Sequence, residues 1–122
     1  MTKRRILIVE DHQVIRDMLE LFLINRGYTT HTTENGLQGL NWCIAHQPDL
    51  IITDNTMPLM TGLELVTAIR AHPEVGATRI ILVSGDTDDI EAKAIAAGAN
   101  DFAPKPYSLD DILRLIKRQL DP

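Results

Sequence analysis

The stretch Leu50-Ile51-Ile52-Thr53-Asp54-Asn55-Thr56-Met57-Pro58 runs from apolar residues into a single carboxylate and then into a proline-containing loop. Apolar character without alternation is what a strand covered on both faces shows, so Leu50 to Thr53 reads as the buried central strand of a parallel sheet. Asp54 stands at its carboxyl end, and Pro58 forbids a simple helix start there. A carboxylate in that place is a candidate reactive group.

Three other apolar runs also finish in polar groups. Ile6 to Val9 ends in Glu10-Asp11, Ile80 to Val83 in Ser84, and the short Asp101 to Pro104 segment in Lys105-Pro106. In open parallel sheets ligands bind outside the carboxyl ends of the strands. The four endings would therefore bring three acids, a hydroxyl and a lysine to one site.

Between these runs lie amphipathic stretches of helical length, the pattern of five successive βα units. The first strand is expected over about residues 5 to 10, followed by a helix carrying Val14, Met18, Phe22 and Ile15, Leu19 at four-residue spacing and stopped by Gly27. Tyr28 to Thr33 is threonine-rich and weakly apolar, as suits an edge strand. Asn35-Gly36 opens a second helix with Leu37, Leu40 and Ile44 on one side, ended by Pro48. Leu63, Leu65, Val66 and Ile69 mark a third helix, closed by Pro73, and Arg79 to Val83 a fourth strand. The fourth helix has Asp88, Asp89 and Glu91 in its first turn, where the helix dipole favours acids, and Gly98 at its end. Its apolar side is mostly alanine, so it buries little area and is expected to be loosely held. A last strand over about 100 to 104 precedes a helix opened by Ser108 and Asp111, a pairing like a capping box, with Leu109, Ile112, Leu113, Ile116 and Leu120 as its stripe. Lys117 and Arg118 lie in its last turn, as the dipole favours.

The length of 122 residues with 44% hydrophobic content suits one compact domain and leaves no room for a second. The net charge of -5 and the scattering of basic residues outside Lys3-Arg4-Arg5 and Lys117-Arg118 argue against direct nucleic-acid binding. No run of membrane-spanning length and no signal-peptide pattern is present, which predicts a cytoplasmic protein without membrane insertion. Cys43 is the one cysteine, which excludes an internal disulfide and a cysteine-based metal cluster and predicts a buried core thiol.

Glu10, Asp11 and Asp54 would crowd three carboxylates if the first and third strands are neighbours, and a cation would relieve the repulsion. Oxygen-only ligands favour Mg²⁺, Mn²⁺ or Ca²⁺ over zinc, and a few carboxylates with several waters suit Mg²⁺ paired with a phosphate. The alternative is that Glu10 and Asp11 simply cap the following helix. A carboxylate nucleophile toward phosphorus needs a metal and a cation to offset charge and a hydroxyl donor to hold an oxygen, parts that Lys105 and Ser84 would fill.

With Ile6-Leu7-Ile8-Val9-Glu10-Asp11, Asp54-Asn55-Thr56-Met57-Pro58 and Gly62, Leu82-Val83-Ser84-Gly85, and Gly98-Ala99 leading to Phe102 and Lys105-Pro106-Tyr107, the chain resembles the receiver domain of two-component response regulators over residues 4 to 120. The resemblance implies residues 1–122 as one receiver domain of the single-domain, chemotaxis-regulator-like form, to which Met1 and the end at Pro122 are suited. It implies a flavodoxin-like, doubly wound, five-stranded parallel sheet in the order 2-1-3-4-5 with five helices, an order for which a receiver is itself one of the standard examples. It further implies that Asp54 accepts a phosphoryl group from a phosphohistidine of a sensor kinase or histidine phosphotransfer protein. Mg²⁺, or Mn²⁺ in its place, would be held by Glu10 or Asp11, Asp54 and the Thr56 backbone carbonyl. Ser84 and Lys105 would bind phosphoryl oxygens, and movement of Ser84 would let the Phe102 ring turn inward. The protein would be a switch and no enzyme toward a diffusible substrate, catalysing only its own phosphorylation and dephosphorylation.

A downstream protein target is expected on helix four, strand five and helix five, around Lys93, Ala97, Phe102 and Tyr107. The pair Glu10-Asp11 departs from the two aspartates commoner in the family. Thr56 and Asp86 fall where the family controls access of water to the phosphoryl group, and Lys105-Pro106 resembles a cis peptide site. A haloacid-dehalogenase-type phosphatase would need a second aspartate where Thr56 stands, and a flavin-binding protein would place a phosphate loop where Glu10-Asp11 would repel it. The remaining alternative is a degenerate receiver acting as a phosphorylation-independent binding module.

Overall fold

The computed structural model describes residues 3–86 and 89–121. Strands and helices alternate strictly: β1 (Arg5–Val9), α1 (Gln13–Asn25), β2 (Thr29–Thr33), α2 (Gly36–His46), β3 (Leu50–Asp54), α3 (Gly62–Ala71), β4 (Arg79–Ser84), α4 (Ile90–Ala97), β5 (Asp101–Pro104) and α5 (Leu109–Leu120). The strands form one parallel sheet in the order β2-β1-β3-β4-β5, the flavodoxin-like arrangement. Among the described residues no helix is long and apolar enough to cross a membrane. Met1, Asp88 and Pro122 lie outside the described residues, so of the acids expected at the start of α4 only Asp89 and Glu91 are placed.

Period-two alternation along the buried strands splits the core in two. Ile6, Ile8, Leu50, Ile52, Ile81 and Val83 face α1 and α5, where Leu19, Leu23, Ile112, Ile116 and Leu120 cover them. Leu7, Val9, Ile51, Ile80 and Leu82 face the opposite side, under Cys43 of α2, Leu65, Val66 and Ile69 of α3, and Ile90 and Ala94 of α4. The Cys43 thiol is fully buried, and burial pushes its pKa up, as expected of a core thiol.

Two helical faces differ from the expected ones. On α1 the buried residues are Leu19 and Leu23, while Val14 is 79% exposed and Met18 45%. The apolar set spans a wider arc of the helix than the sheet covers, so its outer members stay in solvent. On α2 the buried residues are Gly36, Gly39 and Cys43, and Leu37 is exposed. A Cβ on Gly39 would come within 2.9 Å of Val9 Cγ2, so this helix lies closer to the sheet than a leucine stripe would allow.

The helix ends follow local chemistry. Asn35 accepts the Gln38 N–H and Ser108 forms a reciprocal capping box with Asp111. α3 starts in a second capping box, Thr61 with Glu64, which the sequence reading passed over. α4 begins only at Ile90, with Asp89 at its N-cap in a left-handed conformation and making no side-chain cap. Its far end is tied down: Arg70 Nε donates to Gly98 O at 2.9 Å, and Arg70 Nη1 and Nη2 donate to Thr78 O and Asn100 Oδ1.

Candidate functional site

The parallel register sets Val9 beside Thr53 and Asp54 beside Val83, so the residues that end β1, β3 and β4 emerge on one edge of the sheet. Asp54 is the last residue of β3 and is 7% exposed. Glu10, directly after β1, is 3% exposed, whereas Asp11 is exposed. One carboxylate oxygen from each of Glu10, Asp11 and Asp54 lies within 4.8 Å of the others.

Lys105 follows β5 and reaches across this edge, its Nζ lying 2.8 Å from Asp54 Oδ1. Its own N–H donates to Ser84 O at 2.9 Å, which holds the base of the side chain against the end of β4. The Lys105-Pro106 peptide is cis. Ser84 closes β4 and is 2% exposed, and its hydroxyl donates to Asp86 Oδ2. Thr56 is exposed in the loop after β3. Phe102 on β5 is half-buried and lines a groove with Ile90, Ile95 and Pro104. Lys93 is exposed on α4, and Ala97 and Tyr107 are half-buried. A polar hollow lined by Arg4, Asp49, Glu74 and Arg79 lies at the amino ends of the strands, away from the acids.

The capping alternative for the acidic pair is not what the backbone shows. His12 is the N-cap of α1 and makes no side-chain cap, while Glu10 Oε2 accepts the His12 N–H at 3.1 Å and Arg16 Nη1 donates to Glu10 O. The first contact holds the Glu10 carboxylate and the second its backbone carbonyl, and an oxygen of that carboxylate lies within 4.8 Å of one on Asp54.

Electrostatics follow from burial and crowding. Burial pushes the Glu10 carboxyl up to about 7, the Asp54 charge and a hydrogen bond with Asp11 add to the rise, and the His12 N–H and Lys105 oppose it. Burial pulls the Lys105 ammonium down, but its hydrogen bond to Asp54 and the charges of Asp54, Glu10 and Asp11 outweigh that and raise it. The Tyr107 phenol is pushed up to about 12, by burial first and then by Glu10 and Asp54, so it stays a neutral donor at physiological pH. Three carboxylates against one ammonium leave the site short of positive charge, and its donors are all oxygens, so the chemistry of the set fits a hard divalent cation.

Three residues named from the sequence contribute through contacts that it did not signal. Asn55 is buried, its Oδ1 accepts the Leu63 N–H at 3.1 Å and its N–H donates to Val83 O, which folds the loop after Asp54 back onto β4 and α3. Gly62 lets α3 start against that loop, since a Cβ there would stand 2.4 Å from Asp54 O. Asp86 binds the Ser84 hydroxyl. Gly62 was visible as part of a motif but without this reason, and nothing in the sequence signals the partners of Asn55 and Asp86.

A flavodoxin-like sheet that converges acids from two strands and a lysine from a third on its carboxyl edge defines the class of receiver-type signalling domains. The response regulator receiver domain family matches residues 6–117, and the chain belongs to that family. It is 35% identical over 114 residues to the response regulator ArlR of Staphylococcus aureus, covering 93% of this chain and 51% of that protein. The structure of the chemotaxis response regulator CheY4 of Vibrio cholerae superposes with a TM-score of 0.91 at 31% identity, covering 98% of this chain and all of that one. The signal receiver domain of a signal transduction histidine kinase from Syntrophus aciditrophicus gives a TM-score of 0.89 at 32% identity, with 96% and 89% of the two chains covered. The chain spans about half the length of the curated relatives it matches. Receiver domains are signalling switches of two-component systems, they bind Mg²⁺ in an acidic pocket, and they take phosphoryl groups from histidine kinases. The phosphorylation-independent reading is not favoured.

Proposed function

We propose that Asp54 accepts the phosphoryl group and that Ser84 and Lys105 read its arrival. The observation that carries this is the 2.8 Å contact of Lys105 Nζ with an Asp54 carboxylate oxygen, beside a cluster whose carboxylate oxygens lie within 4.8 Å of one another. An Asp54 oxygen attacks the phosphorus of a phosphohistidine on a sensor kinase or phosphotransfer protein. The new O–P bond gives an acyl phosphate as the N–P bond breaks, and the electron pair leaves on the imidazole nitrogen. Lys105 then exchanges its partner, moving from the carboxylate to a phosphoryl oxygen that carries the charge. Mg²⁺, held by Glu10 or Asp11, Asp54 and the Thr56 carbonyl, would neutralise charge on the phosphoryl oxygens. Glu10 must give up its proton for this, and Asp11, being exposed, is already open to a hydrated ion.

Signal passes outward when the Ser84 hydroxyl turns toward the phosphoryl group and the half-buried Phe102 ring fills the space beside it. The face of α4, β5 and α5 around Lys93, Ala97, Phe102 and Tyr107 is then the surface whose partner changes. The protein acts in the cytoplasm and catalyses only its own phosphorylation and dephosphorylation. Incubation with a small-molecule phosphodonor and Mg²⁺, followed by intact mass measurement, should show one added phosphoryl group on wild type and none on Asp54→Asn. An unmodified wild type, or an equally modified variant, sinks this reading.

A further inference from the structure

The hydroxyl that is to grip the phosphoryl group is already engaged. Ser84 Oγ donates to Asp86 Oδ2 at 3.1 Å, and the Asp86 N–H donates back to the same Oγ at 3.0 Å. The carboxylate is held in place by Asn55, whose Nδ2 donates to the same Asp86 Oδ2 at 3.4 Å, and Asn55 is itself fixed by the Leu63 N–H on its Oδ1. Ser84 is 2% exposed, so its hydroxyl is shielded from water, while the Asp86 carboxylate that accepts from it belongs to an exposed residue. A serine hydroxyl carries a single proton. It cannot donate to Asp86 and to an oxygen on Asp54 at the same time.

We propose that Asp86 is a positioning residue that latches Ser84 in its resting orientation, so that the hydroxyl serves the phosphoryl group only after its bond to Asp86 has broken. This inference rests on the reading of Asp54 as acceptor and Ser84 as the hydroxyl that binds the phosphoryl oxygen. The acceptor is a carboxylate, so the bond is charge-assisted and stronger than one to a neutral oxygen. Its loss is subtracted from whatever the phosphoryl group gains at Ser84, which keeps the unmodified protein in its resting arrangement and raises the threshold for switching. Asp86 also lines the groove of Ile90, Ile95 and Phe102, so release of the latch and the inward turn of the aromatic ring concern the same space.

The test uses fluoroberyllate, a mimic of the phosphoryl group on a carboxylate, titrated with Mg²⁺ into the whole chain and followed by fluorine NMR. Asp86→Ala frees the hydroxyl and should tighten uptake about tenfold, the scale of a hydrogen bond to a charged group. Asp86→Asn keeps an oxygen acceptor and should fall between that variant and wild type. Removing a negative charge beside three other acids would also tighten binding of an anion, so the deciding quantity is the coupling to Ser84. In a Ser84→Ala background the gain from Asp86→Ala should vanish, and the double-mutant cycle reads that difference directly. A gain of equal size with and without Ser84 assigns the effect to charge alone and overturns the latch, as does an Asp86→Ala protein that binds no more tightly than wild type. Wild-type protein that takes up no fluoroberyllate points instead to failure of the Asp54 reading, and the latch falls with it.

Discussion

The Glu10 carboxyl, pushed up to about 7 by burial and then by Asp54 and Asp11, is poised to hold a proton in the metal-free molecule near neutral pH. A divalent ion must displace that proton to use the side chain, so apparent Mg²⁺ affinity should fall by on the order of tenfold per pH unit below 7 and level off above it. Calorimetric titration in buffers of different ionisation enthalpy would count the released proton; affinity flat from pH 6 to 8 would remove Glu10 from the ligand set. The stability of the metal-free protein runs the other way. The folded value lies above the ordinary 4.5, so Glu10 contributes stability that is complete below about 4.5 and lost as pH rises through about 7. Glu10→Gln should flatten this dependence. Asp54, Ser84 and Lys105 were legible because each stands where an apolar run stops, and strand ends converge in a parallel sheet. The Glu10 shift and the engagements of Asn55 and Asp86 were not, since they depend on burial and on bonds between loops that no periodicity encodes.

Among the elements, α3 is placed tightly, because its first residue meets the backbone at the end of β3, where Asp54 stands. A Cβ on Gly62 would stand 2.4 Å from Asp54 O and 2.9 Å from Asn55 Cα, and neither atom can swing aside as a side chain could. On Gly85 the nearest atom would be Lys105 Cβ at 3.6 Å, an ordinary contact. Gly62→Ala should therefore cost about 1–3 kcal/mol in urea unfolding and slow phosphorylation by displacing Asp54, while Gly85→Ala stays within about 0.5 kcal/mol of wild type. Equal midpoints for the two variants would show that the loop after β3 yields. Strand identity and the order of elements were readable from apolar runs and turn residues. The buried face of α2 was not, because close approach to Met60 at Gly36 and to the sheet at Gly39 selects small residues, which with Cys43 are ones that a search for large apolar side chains passes over. The fourth helix was expected to be weakly held for want of bulk, yet the guanidinium of Arg70 anchors its carboxyl end.

In the whole molecule the two half-cores share β1, β3 and β4, so neither can open without exposing strands that the other needs. Leu65→Ala under α3 and Ile112→Ala under α5 should each lose about 2–5 kcal/mol, with one transition seen alike by far-ultraviolet circular dichroism and by Trp42 fluorescence. Trp42 is a usable reporter because it is stacked between the rings of His31 and His46, with centroids 4.3 and 4.4 Å away. The acidic site joins the ends of β1 and β3 and is bridged by Lys105 to the end of β5, so an ion bound there is bound only by the folded chain. Mg²⁺ at a fixed concentration of a hundred times the wild-type dissociation constant at pH 8 should then add about 2.7 kcal/mol to the global unfolding free energy. The increment should be full at pH 8, where Glu10 is ionised, and smaller at pH 6, where the ion competes with a proton. Asp54→Asn removes one of the three clustered carboxylates and should reduce the increment at both. Thermal midpoints with and without Mg²⁺ decide it: a midpoint that Mg²⁺ leaves unmoved at pH 8 would mean that the three carboxylates do not form a cation site in this fold.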